Sequence, residues 1–146
     1  MSTHKRMALP VLDRREFLAK STVMTLGVLV ASACGGGDDP ASPGTVNVTA
    51  NPASYPALAN VGGIARLNGT STPIAVVRSG ASSYRAFWLI CPHQGSTVGI
   101  TGTSFQCPGH GAQFSATGAW TGGQPTSGLH EFNVAIDGSG MLTITS

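Results

Sequence analysis

Formal charge is scarce in this chain of 146 residues: Asp, Glu, Lys and Arg together make up 10%. A long-helix or coiled-coil protein needs far more, so both are excluded. The charge present is uneven. Lys5, Arg6, Arg14, Arg15 and Lys20 crowd the first twenty residues. From residue 35 onward three arginines (Arg66, Arg78, Arg85) face four carboxylates (Asp38, Asp39, Glu131, Asp137). The body therefore has no basic patch, and nucleic acid is not an expected partner. Cysteine is sparse as well, at 3 residues. There is no internal repeat, no phosphate loop and no nucleophile–base constellation, so neither nucleotide binding nor hydrolysis is indicated. Uninterrupted uncharged, largely apolar sequence near the front is confined to "STVMTLGVLVASA", Ser21–Ala33. Those thirteen residues fall short of the roughly 20 that cross a bilayer as a helix.

That stretch has the length of a signal-peptide core, and a basic segment precedes it. Arg14-Arg15, followed by Glu16, Phe17 and Leu18, resembles the twin-arginine signal, which exports folded proteins from the bacterial cytoplasm. The core ends "VLVASAC". Ala31-Ser32-Ala33 fits a small-residue cleavage site. Cys34 directly after it resembles the lipidated cysteine of a bacterial lipoprotein, although Ala31 stands where such signals usually place Leu. The polar run "GGGDDPASPG" that follows reads as a flexible tether, which favours the anchored form. Residues 1–34 are thus expected to be a twin-arginine or lipoprotein signal and residues 35–45 a linker. The expected location is the periplasmic side of the cell envelope, with a lipid anchor through Cys34.

Residues 46–146 are expected to form one domain. "TVNVTA", "GIARLNG", "PIAVVRSG", "YRAFWLICP", "TSFQCPG", "HEFNVAIDGSG" and "MLTITS" are short runs rich in Val, Ile, Thr and aromatics, closed by Gly, Pro, Asn or Asp. Such runs read as strands, and "AIDGSGMLTITS" reads as a hairpin. No helical period appears. The fold class is all-β, antiparallel. In "AFWLI", Phe87 and Leu89 alternate with Trp88 and Ile90, so one face of that strand should be buried.

With Cys34 assigned to the leader, the body keeps Cys91 and Cys107. A disulfide between them suits an exported protein. It leaves His93 and His110 unexplained, each placed just after a cysteine in a Gly- and Pro-rich loop. The pattern is Cys91-x-His93, a gap of thirteen residues, then Cys107-x-x-His110. Two thiolates and two imidazoles suit zinc or an iron–sulfur centre. Structural zinc sites usually take both cysteines from one knuckle and both histidines from another segment. Here each loop supplies one of each, the arrangement that suits a Rieske [2Fe–2S] centre.

The stretch is similar to the Rieske iron–sulfur domain over Ala57 to Ser146. "CPHQGSTVG" resembles its first cluster loop and "CPGHGAQF" its second. "TGAWTGGQPTSGLHEFNVAID" resembles the segment that carries its proline-containing third loop, here at Gln124-Pro125. The resemblance implies a small fold of stacked antiparallel sheets with two cluster loops at one tip. It implies one [2Fe–2S] cluster, with Cys91 and Cys107 on one iron and His93 and His110 on the other. Two ferric ions, two sulfides and two thiolates sum to a neutral oxidised centre. An all-cysteine cluster is two charges more negative, so electron uptake is easier here and the potential higher. Gly95, Gly109 and Gly111 would let backbone N–H groups approach the sulfurs, and Pro92 and Pro108 would stiffen the loops.

This chain departs from high-potential members of the family. Their inter-loop disulfide would fall at Ser96 and Gly109. Their serine and tyrosine hydroxyls, donated to cluster sulfurs, would fall at Ala112 and Phe114. Neither side chain here can donate, so a potential in the low to middle part of the Rieske range is expected. The expected role is one-electron transfer with a redox partner protein: a cytochrome, a quinol enzyme or a molybdenum oxidoreductase. The alternatives are the iron–sulfur subunit of a membrane-facing oxidoreductase and a zinc-stabilised binding module without redox chemistry. Of the other residues, Trp88 and Trp120 are expected in the core and His130 in solvent. Gln94 and Ser115 lie near the site without a role, and Tyr55 and Tyr84 without a partner.

Overall fold

The clearest guide to the architecture is one strand that is apolar on both faces. "IAVV" at Ile74–Val77 leaves no polar side, so it must be covered twice. The computed structural model, which describes residues 42–146, covers it in that way. Side chains alternate along a strand, so Ile74 and Val76 enter one core while Ala75 and Val77 enter another. The twin-arginine motif, Cys34 and the front of the linker lie outside the described residues.

Among the described residues there are ten strands: β1 Asn47–Ala50, β2 Ile64–Arg66, β3 Ile74–Arg78, β4 Tyr84–Trp88, β5 Gly99–Thr101, β6 Ser104–Gln106, β7 Gln113–Phe114, β8 Trp120–Gly122, β9 Glu131–Ile136 and β10 Leu142–Thr145. They form a six-stranded sheet, β1-β10-β9-β4-β3-β2, and a four-stranded sheet, β5-β6-β7-β8. All the pairings are antiparallel. This is the expected all-β fold of stacked antiparallel sheets.

Within the larger sheet β9 changes partner along its length. Glu131 and Phe132 pair with β4, and Asn133 to Ile136 pair with β10. The sheet folds over there, and its two halves close one core on each other. Val46, Leu142 and Ile144 meet Leu67, Ile74, Val76 and Ala86 in it, and Leu58 seals its side. Leu58 comes from the second of two short 3-10 helices, Pro52–Ser54 and Pro56–Ala59. Each helix opens on a proline whose fixed φ suits a first turn, and the Asn51 side chain caps the first by accepting from Ala53 N–H at 3.0 Å. The other core lies between the β2-β3-β4 face and the small sheet. Phe87 and Leu89 meet Phe105, Phe114, Val98 and both cysteines there.

All seven runs expected as strands contain one. The three strands not anticipated, β5, β7 and β8, have only two or three residues, too few to show a period. Phe87 and Leu89 are buried and Trp88 and Ile90 half-buried, as the alternation predicts. Trp120 is a correction: it stands 41% exposed. It lies on β8, the edge strand of the smaller sheet, and its Nε1–H donates to the Gln124 carbonyl at 3.0 Å.

Candidate metal centre

Two loops leave the small sheet at one end. Cys91–Ser96 connects β4 to β5, and Cys107–Ala112 connects β6 to β7. The gap of thirteen residues between His93 and Cys107 holds the β5–β6 hairpin, whose turn is only Gly102-Thr103 because Thr101 pairs with Ser104. That tight turn is why the connection can be short.

The loops repeat one hydrogen-bond plan. Cys91 N–H donates to Ser96 O at 2.8 Å, and Gly95 N–H donates to Cys91 O at 2.9 Å. In the second loop Cys107 N–H donates to Ala112 O at 2.8 Å, and Gly111 N–H donates to Cys107 O at 3.0 Å. Gly95 and Gly111 thus hold the same place in each loop. Both need a left-handed turn there, with φ of 71° and 77°, which a side chain would strain. A proline follows each cysteine. The turn aims two backbone N–H groups at each sulfur: those of His93 and Gln94 at Cys91, and those of Gly109 and His110 at Cys107.

Both cysteines are free, so the disulfide reading fails. Their side chains are buried and hydrogen-bond to each other across the loops. Burial pushes the Cys91 thiol up, and its bond to Cys107 adds to this. Burial acts on Cys107 in the same sense, but the bonds from Cys91, the two N–H groups and the Ser96 hydroxyl outweigh it and hold that thiol below its ordinary value.

The rings of His93 and His110 face each other edge to face, with centroids 4.8 Å apart at 85°. His110 is exposed and His93 partly so. His93 Nδ1 is buried without a hydrogen-bond partner. A buried imidazole nitrogen left unpaired is costly, and an ion is one of the few things that explain it. The four expected ligands thus come to one tip as two pairs, thiols from both loops and imidazoles from both loops. Among the described residues, no three Cys, His, Asp or Glu side chains gather around a single ion-sized point. One tetrahedral zinc would require such a gathering; two irons with two ligands each do not. The donor set, the N–H groups aimed at sulfur and the orphaned nitrogen fit a [2Fe–2S] cluster.

The third loop presses on the second. A Cβ on Gly123 would stand 1.9 Å from the Gly111 carbonyl oxygen, so only glycine permits this approach. Sequence reasoning assigned nothing to Gly123, and saw Ser96 only as a missing cysteine. Ala112 and Phe114 are fully buried in the core beside the cysteines and bring no donor. Ser115 belongs to a turn, where its hydroxyl accepts from Thr117 N–H at 3.2 Å. Gln94 is exposed, and its contribution is its backbone N–H. The Tyr55 hydroxyl accepts from Asn68 N–H at 3.4 Å. His130 is exposed, as expected.

A family model, the Rieske [2Fe–2S] domain, matches residues 56–133. The chain belongs to this family. Its cofactor is accordingly a Rieske-type [2Fe–2S] cluster, and the Rieske domain serves electron transfer. No curated protein sequence matches the chain. Among solved structures, a quaternary ammonium Rieske monooxygenase is 20% identical, with a TM-score of 0.51 over 68% of this chain and 30% of that one. That likeness shows the shared Rieske fold, in less than a third of the larger protein. The plasma membrane Rieske protein PetC3 of the cyanobacterium Synechocystis PCC 6803 is 27% identical over 56% of this chain and 84% of that one, with a TM-score of 0.48. The ferredoxin of carbazole 1,9a-dioxygenase from Nocardioides aromaticivorans IC177 is 22% identical over 68% and 95%, with a TM-score of 0.48.

Proposed function

We propose that this Rieske domain is a one-electron carrier of the bacterial cell envelope, with Cys91 and Cys107 on one iron and His93 and His110 on the other. The observation that carries the ligand assignment is the orphaned, buried Nδ1 of His93, set beside His110 and two free thiols on matching loops. The cluster, when bound, supplies reversible uptake of a single electron. The chain does the rest. Two pairs of N–H groups meet the ligand sulfurs and stabilise added negative charge. The core that holds Phe87, Leu89 and both cysteines excludes water from the cysteine side, and the exposed His110 ring gives an electron its way out. Ala112 and Phe114 add no hydroxyl, which supports a low-to-middle potential.

The surroundings favour a carrier that docks without charge steering. From Ala86 to His130 there is no Asp, Glu, Lys or Arg, and this stretch holds all three loops at the tip. Association through such a face depends on shape and apolar contact, and its rate should vary little with salt. The twin-arginine leader supports the envelope location, because a cluster built in the cytoplasm must cross inside a folded domain. The test is spectroscopic and electrochemical. Dithionite-reduced protein should give a rhombic EPR signal; no signal together with stoichiometric zinc would favour the binding-module reading. Film voltammetry should place the midpoint below about +200 mV, short of the top of the Rieske span. Phe114→Tyr should raise it. A diacylglyceryl adduct on Cys34, sought by mass spectrometry of the mature N-terminus, tests the anchor.

A further inference from the structure

The two positions that the family resemblance assigns to a disulfide, Ser96 and Gly109, are in contact in this chain. A Cβ placed on Gly109 would lie 2.7 Å from Ser96 Oγ, 3.4 Å from Ser96 Cβ and 3.8 Å from Cys107 Sγ. The Ser96 side chain therefore fills the space that the glycine leaves open, beside the Cys107 sulfur. Its hydroxyl and that sulfur border the same gap, the place that a Gly109 side chain would take. At the same time the Ser96 carbonyl holds Cys91 N–H at 2.8 Å. One residue thus ties the first loop to itself through its backbone and to the second loop through its side chain.

We infer that Ser96 is a potential-tuning residue, whose hydroxyl donates across the loops to the Cys107 ligand sulfur in place of a disulfide clamp. The inference rests on the reading of Cys107 as an iron ligand. Reduction places more negative charge on the ligand sulfurs, so a donor to one of them favours the reduced state and raises the potential. Gly109 belongs to the same device, because any side chain there would push the Ser96 hydroxyl away.

Film voltammetry of Ser96→Ala, with cluster loading checked by EPR and iron content, tests this. The alanine variant should lower the reduction equilibrium constant by up to about tenfold, which is about 59 mV for a one-electron couple. Ser96→Thr keeps a hydroxyl at the same place and should retain the starting midpoint. Gly109→Ala should lower the midpoint as Ser96→Ala does, and the double variant should add nothing further. A loaded Ser96→Ala protein with an unchanged midpoint would overturn the inference, and so would Ser96→Thr behaving like alanine. If Ser96→Ala fails to load, Gly109→Ala decides: an unchanged midpoint there overturns the inference too. Failure of the ligand assignment itself shows separately, as a missing EPR signal in the unaltered protein.

Discussion

The larger sheet has strands of up to six residues, in β9, and five in β3 and β4, closed over an aliphatic core. The smaller sheet has no strand longer than three residues, and three of its connections, β4–β5, β6–β7 and β8–β9, are cluster loops or press on one. All the charged side chains of the described residues (Arg66, Arg78, Arg85, Glu131, Asp137) belong to the larger sheet or its hairpin, and none to the cluster end. Among the described residues, buried thiols appear only at the cluster end. The larger sheet holds itself by ladder pairing and packing. The cluster end spends its backbone donors on two sulfurs and leaves an imidazole nitrogen unpaired, so its order leans on a cofactor.

Removing the cofactor should separate the two regions most. Cys107→Ala is expected to abolish the visible absorbance and the EPR signal. Amide hydrogen exchange should then rise across residues 91–125, while β1, β9 and β10 stay protected. Equal loss of protection in β10 would break the comparison. The converse test is Leu142→Ala, which empties a fully buried site of the core between the two halves of the larger sheet. It should cost about 2–5 kcal/mol of stability, read by urea unfolding, and leave the midpoint potential where it was. Gly123→Ala should be smaller in stability and local in effect. With φ of 70° and a Cβ against the Gly111 carbonyl, it should cost about 1–3 kcal/mol and speed cluster loss, measured as bleaching in the presence of a chelator.

The same division decided what could be read from residues alone. In the larger sheet each strand falls inside a run rich in Val, Ile, Thr and aromatics, although nothing in the run "PIAVVRSG" was read as covered on both faces. The hairpin at Asp137 was legible because its turn chemistry is local: the carboxylate accepts from Ser139 and Met141 N–H. At the cluster end the ligands were legible because their spacing is specific, but the supports were not. β7 is two residues long, and a two-residue strand has no period. Gly123 is one glycine among 20, and nothing local marks it as the one that meets Gly111. Ser96 could be seen as an absent cysteine; that its hydroxyl turns to Cys107 depends on the second loop arriving beside it. Trp120 was misjudged because a tryptophan is usually covered, and its place on the unanticipated edge strand β8 leaves it open.

The smallest effect lies at the seam, where β4 passes from the larger sheet to the cluster end. Arg85 meets Glu131 through two hydrogen bonds of 2.6 Å and lies over the Phe87 ring at 5.2 Å. The Arg85 guanidinium holds the Glu131 carboxyl below its ordinary value. A carboxyl lowered in the folded state stabilises the fold above its unfolded pKa, about 4.3, and that contribution disappears as pH falls through the folded value. The side chains are 31% and 42% exposed, so water screens the pair and its worth is below about 1 kcal/mol. Glu131→Gln should therefore lower the urea midpoint slightly at pH 7 and flatten its fall below pH 5. The fall that persists in the variant belongs to the remaining carboxyls, Asp137 among them, which Ser139 holds low. The pair shares a face of the sheet with Val77 and Phe87 of the cysteines' core but stands at that core's solvent-exposed rim, so the midpoint potential should not move with it. A potential that shifted in Glu131→Gln would mean that the seam transmits charge to the tip, and that the two regions are less separate than their residues make them.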